Sequence, residues 1–152
     1  MRVTARVDYA VRALVQLASD GKVEPVKAEH LATAQQIPLK FLLEILRQLK
    51  QHKLLVSRRG PEGGYTLAKP ASEIAIADVI RAVEGPLANV RGVRPEELEF
   101  AGPARALREV FVALRANIRA VLEEVTLADV AADELPPRVR ELLENPEAWS
   151  PH

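Results

Sequence analysis

The chain has 152 residues, 48% of them hydrophobic, and balances 21 Lys+Arg against 21 Asp+Glu with no cysteine at all. That length admits one domain with a proper core, or a small domain carrying an appendage. The missing cysteines exclude disulfides, thiolate chemistry and cysteine-ligated metal or iron–sulfur sites. No apolar run is long enough to span a bilayer and no signal peptide opens the chain, so the expectation is a cytoplasmic protein with no membrane partner.

The zero net charge conceals a division. Residues 1–70 carry twelve Lys+Arg against six Asp+Glu, and residues 71–152 carry nine against fifteen. All six lysines lie in the first part. A basic half joined to an acidic half suits a polyanion partner at one end only, set against chance segregation on two solvated faces.

In chain order, Val7, Ala10, Val11, Leu14, Leu17 and Ala18 recur at three- and four-residue steps and predict a first helix. Thr4 caps its start and Asp20-Gly21 its end. A shorter helix is expected over 27–35, with Ala28, Leu31 and Ala32 inward and no good capping side chain. A third begins at Pro38, whose missing N–H suits a first helical position. Its buried stripe is Leu42, Ile45, Leu46 and Leu49, opposite Lys40, Glu44, Arg47 and Gln51.

Next, 54–56 and 65–67 read as two strands joined by a loop holding Arg58, Arg59, Gly60, Gly63 and Gly64. The three glycines are expected to supply the positive φ angles of a tight reversal. Three helices and a hairpin predict a winged helix-turn-helix, mainly α with a small β-hairpin wing. In such units the third helix enters the major groove. Leu39, Lys40, Phe41, Leu43, Glu44, Arg47 and Gln51 are therefore the candidate reading residues. Lys40 suits guanine or a phosphate, and Glu44 a cytosine amino group. The competing reading is a solvated helix face with Lys40–Glu44 and Glu44–Arg47 pairs. Arg59 is expected in the minor groove and Arg58 on the backbone, with Arg2, Thr4, Lys50 and Lys53 as further phosphate contacts.

A linker helix over 76–84, closed by Gly85-Pro86, leads to a loop at 89–101. After Gly102-Pro103, Leu107, Val110, Phe111, Leu114, Ile118, Val121, Leu122 and Val125 step by three and four. So long an amphipathic helix needs a partner surface, and a second copy of itself is the expected one; the alternative is the first helix of the same chain. The expected organisation is therefore a DNA-binding domain at 1–70, a linker and sensor-like loop at 71–101, a dimerisation helix at 102–135 and a tail at 136–152. Pro136-Pro137 opens a short helix in that tail and Pro146 ends it.

Four motifs carry a family resemblance: DYAVRAL at 8–14, SRRGPEGGYTL at 57–67, ADVIRAVEGPL at 77–87 and TLADV at 126–130. In order and spacing they are similar to the Rrf-two type of bacterial winged-helix regulators, IscR-, NsrR- and CymR-like. The resemblance implies a dimeric repressor on a roughly palindromic operator in double-stranded DNA. One departure matters. Cluster-binding members place three cysteines before the long helix, where this chain reads GPLANVRGVRPEELEFAGPARAL. His30, His52 and His152 are expected to be solvated or capping rather than metal ligands. No cofactor is expected. The family branch without a cluster suggests sulfur or cysteine metabolism, and the resemblance to it makes the 89–101 segment a candidate contact for an effector or partner protein.

An enzyme is not expected, since no nucleophile sits with an acid–base partner and no glycine-rich phosphate loop joins a strand to a helix. The stronger rival is a winged-helix protein–protein adaptor that has lost specific DNA binding. Lys40, Arg47, Arg58 and Arg59 argue against it, because an adaptor has no need of phosphate-ready cations there.

Overall fold

The computed structural model describes residues 2–20 and 23–151. Helix α1 (Ala5–Ser19) starts where Thr4 Oγ1 accepts the Val7 N–H at 3.2 Å and stops at Asp20; Gly21 of the expected stop lies outside the described residues. Helix α2 (Ala28–Gln35) has Lys27 at its N-cap with no side-chain bond, as its sequence implied. It ends in the left-handed conformation of Gln36, φ 54°, which turns the chain into α3 (Leu39–Gln51). Pro38 is the N-cap of α3, one position earlier than expected. All four predicted stripe residues of α3 are buried. Each such side chain is worth about 1.5–3 kcal/mol over leaving it exposed.

The DYAVRAL motif has a local task. Asp8 accepts from Arg12 at 2.7 Å, and the Arg12 guanidinium lies 5.1 Å from the centre of the Tyr9 ring. Arg12 also donates to the Gln35 carbonyl at the end of α2. One arginine thus ties α1 to the end of α2 by satisfying a carbonyl that a helix end leaves open.

Strands β1 (Leu55–Arg58) and β2 (Gly64–Leu67) pair antiparallel, with Leu55 opposite Leu67 and Arg58 opposite Gly64. The hairpin has a third member that sequence periodicity did not reveal. Val26 exchanges two backbone bonds with Tyr65, at 2.9 and 2.8 Å, so the segment before α2 braces the wing. The glycines divide by cause. Gly60 (φ +100°) and Gly64 (φ +149°) need the conformational freedom, but Gly63 is outside the positive-φ set. What Gly63 supplies is space, because a Cβ there would lie 2.2 Å from the Arg58 carbonyl oxygen.

Helix α4 (Ile76–Glu84) has its predicted bounds and ends at Gly85, φ 85°. Its inner residues Val79, Ala82 and Val83, with Ile74 and Leu127, join the same core as α1–α3. The division expected at residue 70 is therefore not an edge of that core. Helix α5 (Leu107–Leu122) follows a single 3₁₀ turn at Gly102–Ala104. A short α6 (Leu127–Ala132) is capped reciprocally by Thr126 and Asp129 and packs on α1. It is α6, not the apolar stripe of α5, that serves as the C-terminal cover of the first helix.

Val125 departs from the expected dimer face. It lies beyond the end of α5 and is only 7% exposed, and its carbonyl accepts the Ile76 N–H at 2.9 Å. Its own chain covers it, so a partner has nothing to bury there. Helix α7 (Pro137–Glu144) closes the tail, and the Trp149 indole N–H donates to the Leu143 carbonyl at 2.8 Å while the ring stays exposed.

Candidate nucleic-acid interface

The predicted reading residues share one face because α3 buries the other. Leu39, Lys40, Phe41, Leu43, Glu44, Arg47 and Gln51 are all exposed, Phe41 to 63%. Three large apolar side chains, Leu39, Phe41 and Leu43, are left open on the first turns of this helix. Leu43 and Arg58 line one cleft together with Lys27, Gly63 and Tyr65, which brings the reading helix, the start of α2 and the wing to one place. Lys27 is a cation that the sequence reading passed over. Its position at an N-cap, where backbone N–H groups are open, was the available signal.

Arg58 is the last residue of β1, paired with Gly64, and Arg59 opens the loop that follows. Among the described residues, Arg2, Lys40, Lys50, Lys53, Arg58 and Arg59 take part in no ion pair, so their charge is free for an external anion. Lys53 holds φ 59° at the end of α3, where its N–H bonds to the Lys50 carbonyl and the next N–H reaches Leu49. Glycine is the usual occupant of that conformation. Lys53 shares that conformation with Gln36, Ala88, Arg91 and Asp133.

Three predicted residues are differently engaged. Thr4 Oγ1 caps α1 and donates to Glu84 Oε1 at 2.7 Å, so its hydroxyl is already committed inside the molecule rather than open to a phosphate. Glu44 and Arg47 form a two-pronged pair at 2.7 and 2.9 Å, while Lys40 stays out of it. That bond holds the Glu44 carboxyl below the usual carboxylate range and raises Arg47 above its own. The pair is intact above the ordinary carboxylate pKa and opens only as pH falls through the lowered value. Its partners mask each other toward DNA. Replacing Glu44 by Gln is expected to free Arg47 and steepen the salt dependence of DNA binding by roughly one counterion, measured as the slope of log K against log salt.

Three helices, a turn held by Gln36 and an arginine-bearing hairpin define a winged helix-turn-helix, a class that binds duplex DNA. A family model described as Rrf2, iron-dependent transcriptional regulator, matches residues 3–133, and the chain belongs to that family. An HTH-type transcriptional regulator of Mycobacterium tuberculosis, Rv1287, is 51% identical over 145 residues, covering 95% of this chain and 90% of the relative. Among solved structures, CymR, the global cysteine regulator of B. subtilis, superposes with a TM-score of 0.74 at 28% identity, over 87% of this chain and 97% of that one. IscR of T. potens gives a TM-score of 0.71 at 28% identity over 88% of each chain. The protein is a DNA-binding transcriptional regulator.

The residues do not fit an iron–sulfur cluster. The 152-residue sequence offers no thiolate, and the described residues hold no group of three or more His, Cys, Asp or Glu placed to ligate a metal. The segment before α5 instead contributes Arg94 and Glu96 to a cavity. Among the described residues, no helix is long and apolar enough to cross a membrane.

Proposed function

We propose that the protein is a homodimeric repressor that binds a roughly palindromic operator without an iron–sulfur cluster. The observation that carries this reading is α5: sixteen residues, an apolar stripe, and not one residue buried within the chain. Leu107, Val110, Phe111, Leu114, Ile118, Val121 and Leu122 form the face that a second copy covers. Two α3 helices then lie about 34 Å apart, one turn of DNA. Phe41 and Leu43 meet thymine methyls, Lys40 reaches guanine, Arg59 enters the minor groove, and Arg58, Lys50 and Lys53 hold phosphates. The likeness to CymR supports genes of sulfur metabolism as targets.

Selection of bound fragments from random duplex DNA by the metal-free protein tests this reading. The expected product is a two-fold symmetric motif. Uniform weak recovery that vanishes with added salt would mean either a missing co-ligand or an adaptor. On the selected operator, Arg59→Ala is expected to cost about 1–3 kcal/mol and to relax preference beside the site read by α3. Lys53→Ala should weaken all sequences alike and flatten the salt slope. Equal affinity of Arg59→Ala and wild type in a gel-shift titration would reduce the wing to a turn.

A further inference from the structure

A cavity of about 560 Å³ lies between the end of α3, the end of α4, the 86–96 segment and α5. Its lining draws four guanidinium groups from distant parts of the chain: Arg81 on α4, Arg94 before the 3₁₀ turn at Pro95–Glu97, and Arg115 and Arg119 one turn apart on α5. His52 completes the wall, and Glu96 is the one carboxylate in it. Pairing is incomplete. Glu96 meets Arg115, while Glu123 is shared between Arg81 and Arg119, the latter at 2.9 Å. Asp78 Oδ1 lies 3.7 Å from Arg81, while its other oxygen accepts the Ala75 N–H. Arg94 has no ion-pair partner among the described residues.

Each guanidinium carries five N–H donors in a fork that matches carboxylate and phosphate oxygens. Glu96, Glu123 and Asp78 engage only a few of those donors and leave most of them open, around a space of the size that holds a metabolite rather than a lone ion. Four arginines against three carboxylates leave the concavity with a net positive charge, which a bound anion offsets. We propose that this cavity is an effector site for a small metabolite bearing phosphate or carboxylate groups. The inference rests on the regulator reading for its consequence, but binding itself does not.

The cavity's position supplies that consequence. Its walls belong to the end of the reading helix, through His52, and to the proposed dimer helix, through Arg115 and Arg119. Within the chain, α5 is held chiefly by α4 and the 3₁₀ turn at Pro95–Glu97. An anion that takes Arg115 and Arg119 away from Glu96 and Glu123 resets α5 against α4, and with it the spacing of two reading helices. Differential binding to two arrangements is what a ligand needs to shift operator affinity.

The test is calorimetric titration of the full-length protein with inorganic phosphate and with 3-phosphoglycerate, at matched ionic strength and without DNA. Saturable binding of 3-phosphoglycerate is expected, weakened at least tenfold in Arg94→Gln and unchanged in Arg138→Gln on α7. Phosphate binding equally well would narrow the ligand to the bare anion and leave the site standing. Saturation by neither probe, or equal binding by Arg94→Gln, would overturn the proposal. Among the described residues Arg94 makes no ion pair, so its variant is expected to keep the wild-type melting temperature. Should Arg94→Gln lower DNA affinity with no small anion present, the arginines would be phosphate contacts and the effector site would be lost. An absence of operator binding alongside intact 3-phosphoglycerate binding would count against the regulator reading only.

Discussion

Leu114→Glu is expected to convert the proposed dimer to a monomer and to lower operator affinity by about 100-fold or more. Leu114 is 47% exposed and its neighbour Val110 57%, so the substitution leaves every buried side chain of the chain in place. Folding should therefore survive, with a melting temperature close to wild type. A two-fold interface brings each α5 position against the partner's equivalent surface, and one substitution places two carboxylates in it. Each then loses water with no cation to receive it. Operator affinity falls because the second half-site contact is no longer intramolecular. Sedimentation velocity reads the first effect and a gel-shift titration the second. A variant that stays dimeric would move the interface off α5.

Gly64→Ala is expected to cost about 2–4 kcal/mol of stability and to weaken operator binding at least tenfold while leaving the oligomeric state unchanged. Two penalties coincide at this position. Its φ of +149° is one that L side chains rarely adopt, and a Cβ would sit 2.5 Å from both the carbonyl carbon and oxygen of Val26. The opposing atoms are backbone, so no side chain can rotate away. Relief requires separating Val26 from Tyr65, which breaks both backbone bonds that brace the wing. Arg58 and Arg59 then lose their position relative to α3. Gly60→Ala is the control: its φ is +100° with nothing within 4 Å of the new atom, and about 1 kcal/mol is the expected cost. Urea unfolding midpoints compare the two, and equal losses would mean that the Val26 contact is unimportant.

Much of this fold was legible because its signals are local. The stripe Leu42, Ile45, Leu46 and Leu49 obeys the period of a helix, and a helix of that composition has one face to bury. Gly85 after α4 and Thr4 before α1 act within a turn of their own positions. The hairpin announced itself by glycines between two apolar runs. The cationic face of α3 followed from the same periodicity, since whatever lies opposite a buried stripe must be outside. Glu44 and Arg47 were a recognisable pair by spacing, yet spacing did not say whether Lys40 or Arg47 would take the carboxylate.

What the sequence by itself determined is the order of the helices, the side of each that faces inward, the arginine-tipped wing and the impossibility of a cysteine-held cluster. These depend on chirality, side-chain period and composition, which act over a few residues or none. Only the tertiary structure decided that Val26 extends the wing, that Gly63 is needed for space, that Val125 turns inward, and that α6 covers α1 while α5 stays open. It alone gathered Arg81, Arg94, Arg115 and Arg119 around one cavity. Such contacts join positions tens of residues apart, and the choice among them is made by packing the whole core, a quantity that no local pattern encodes.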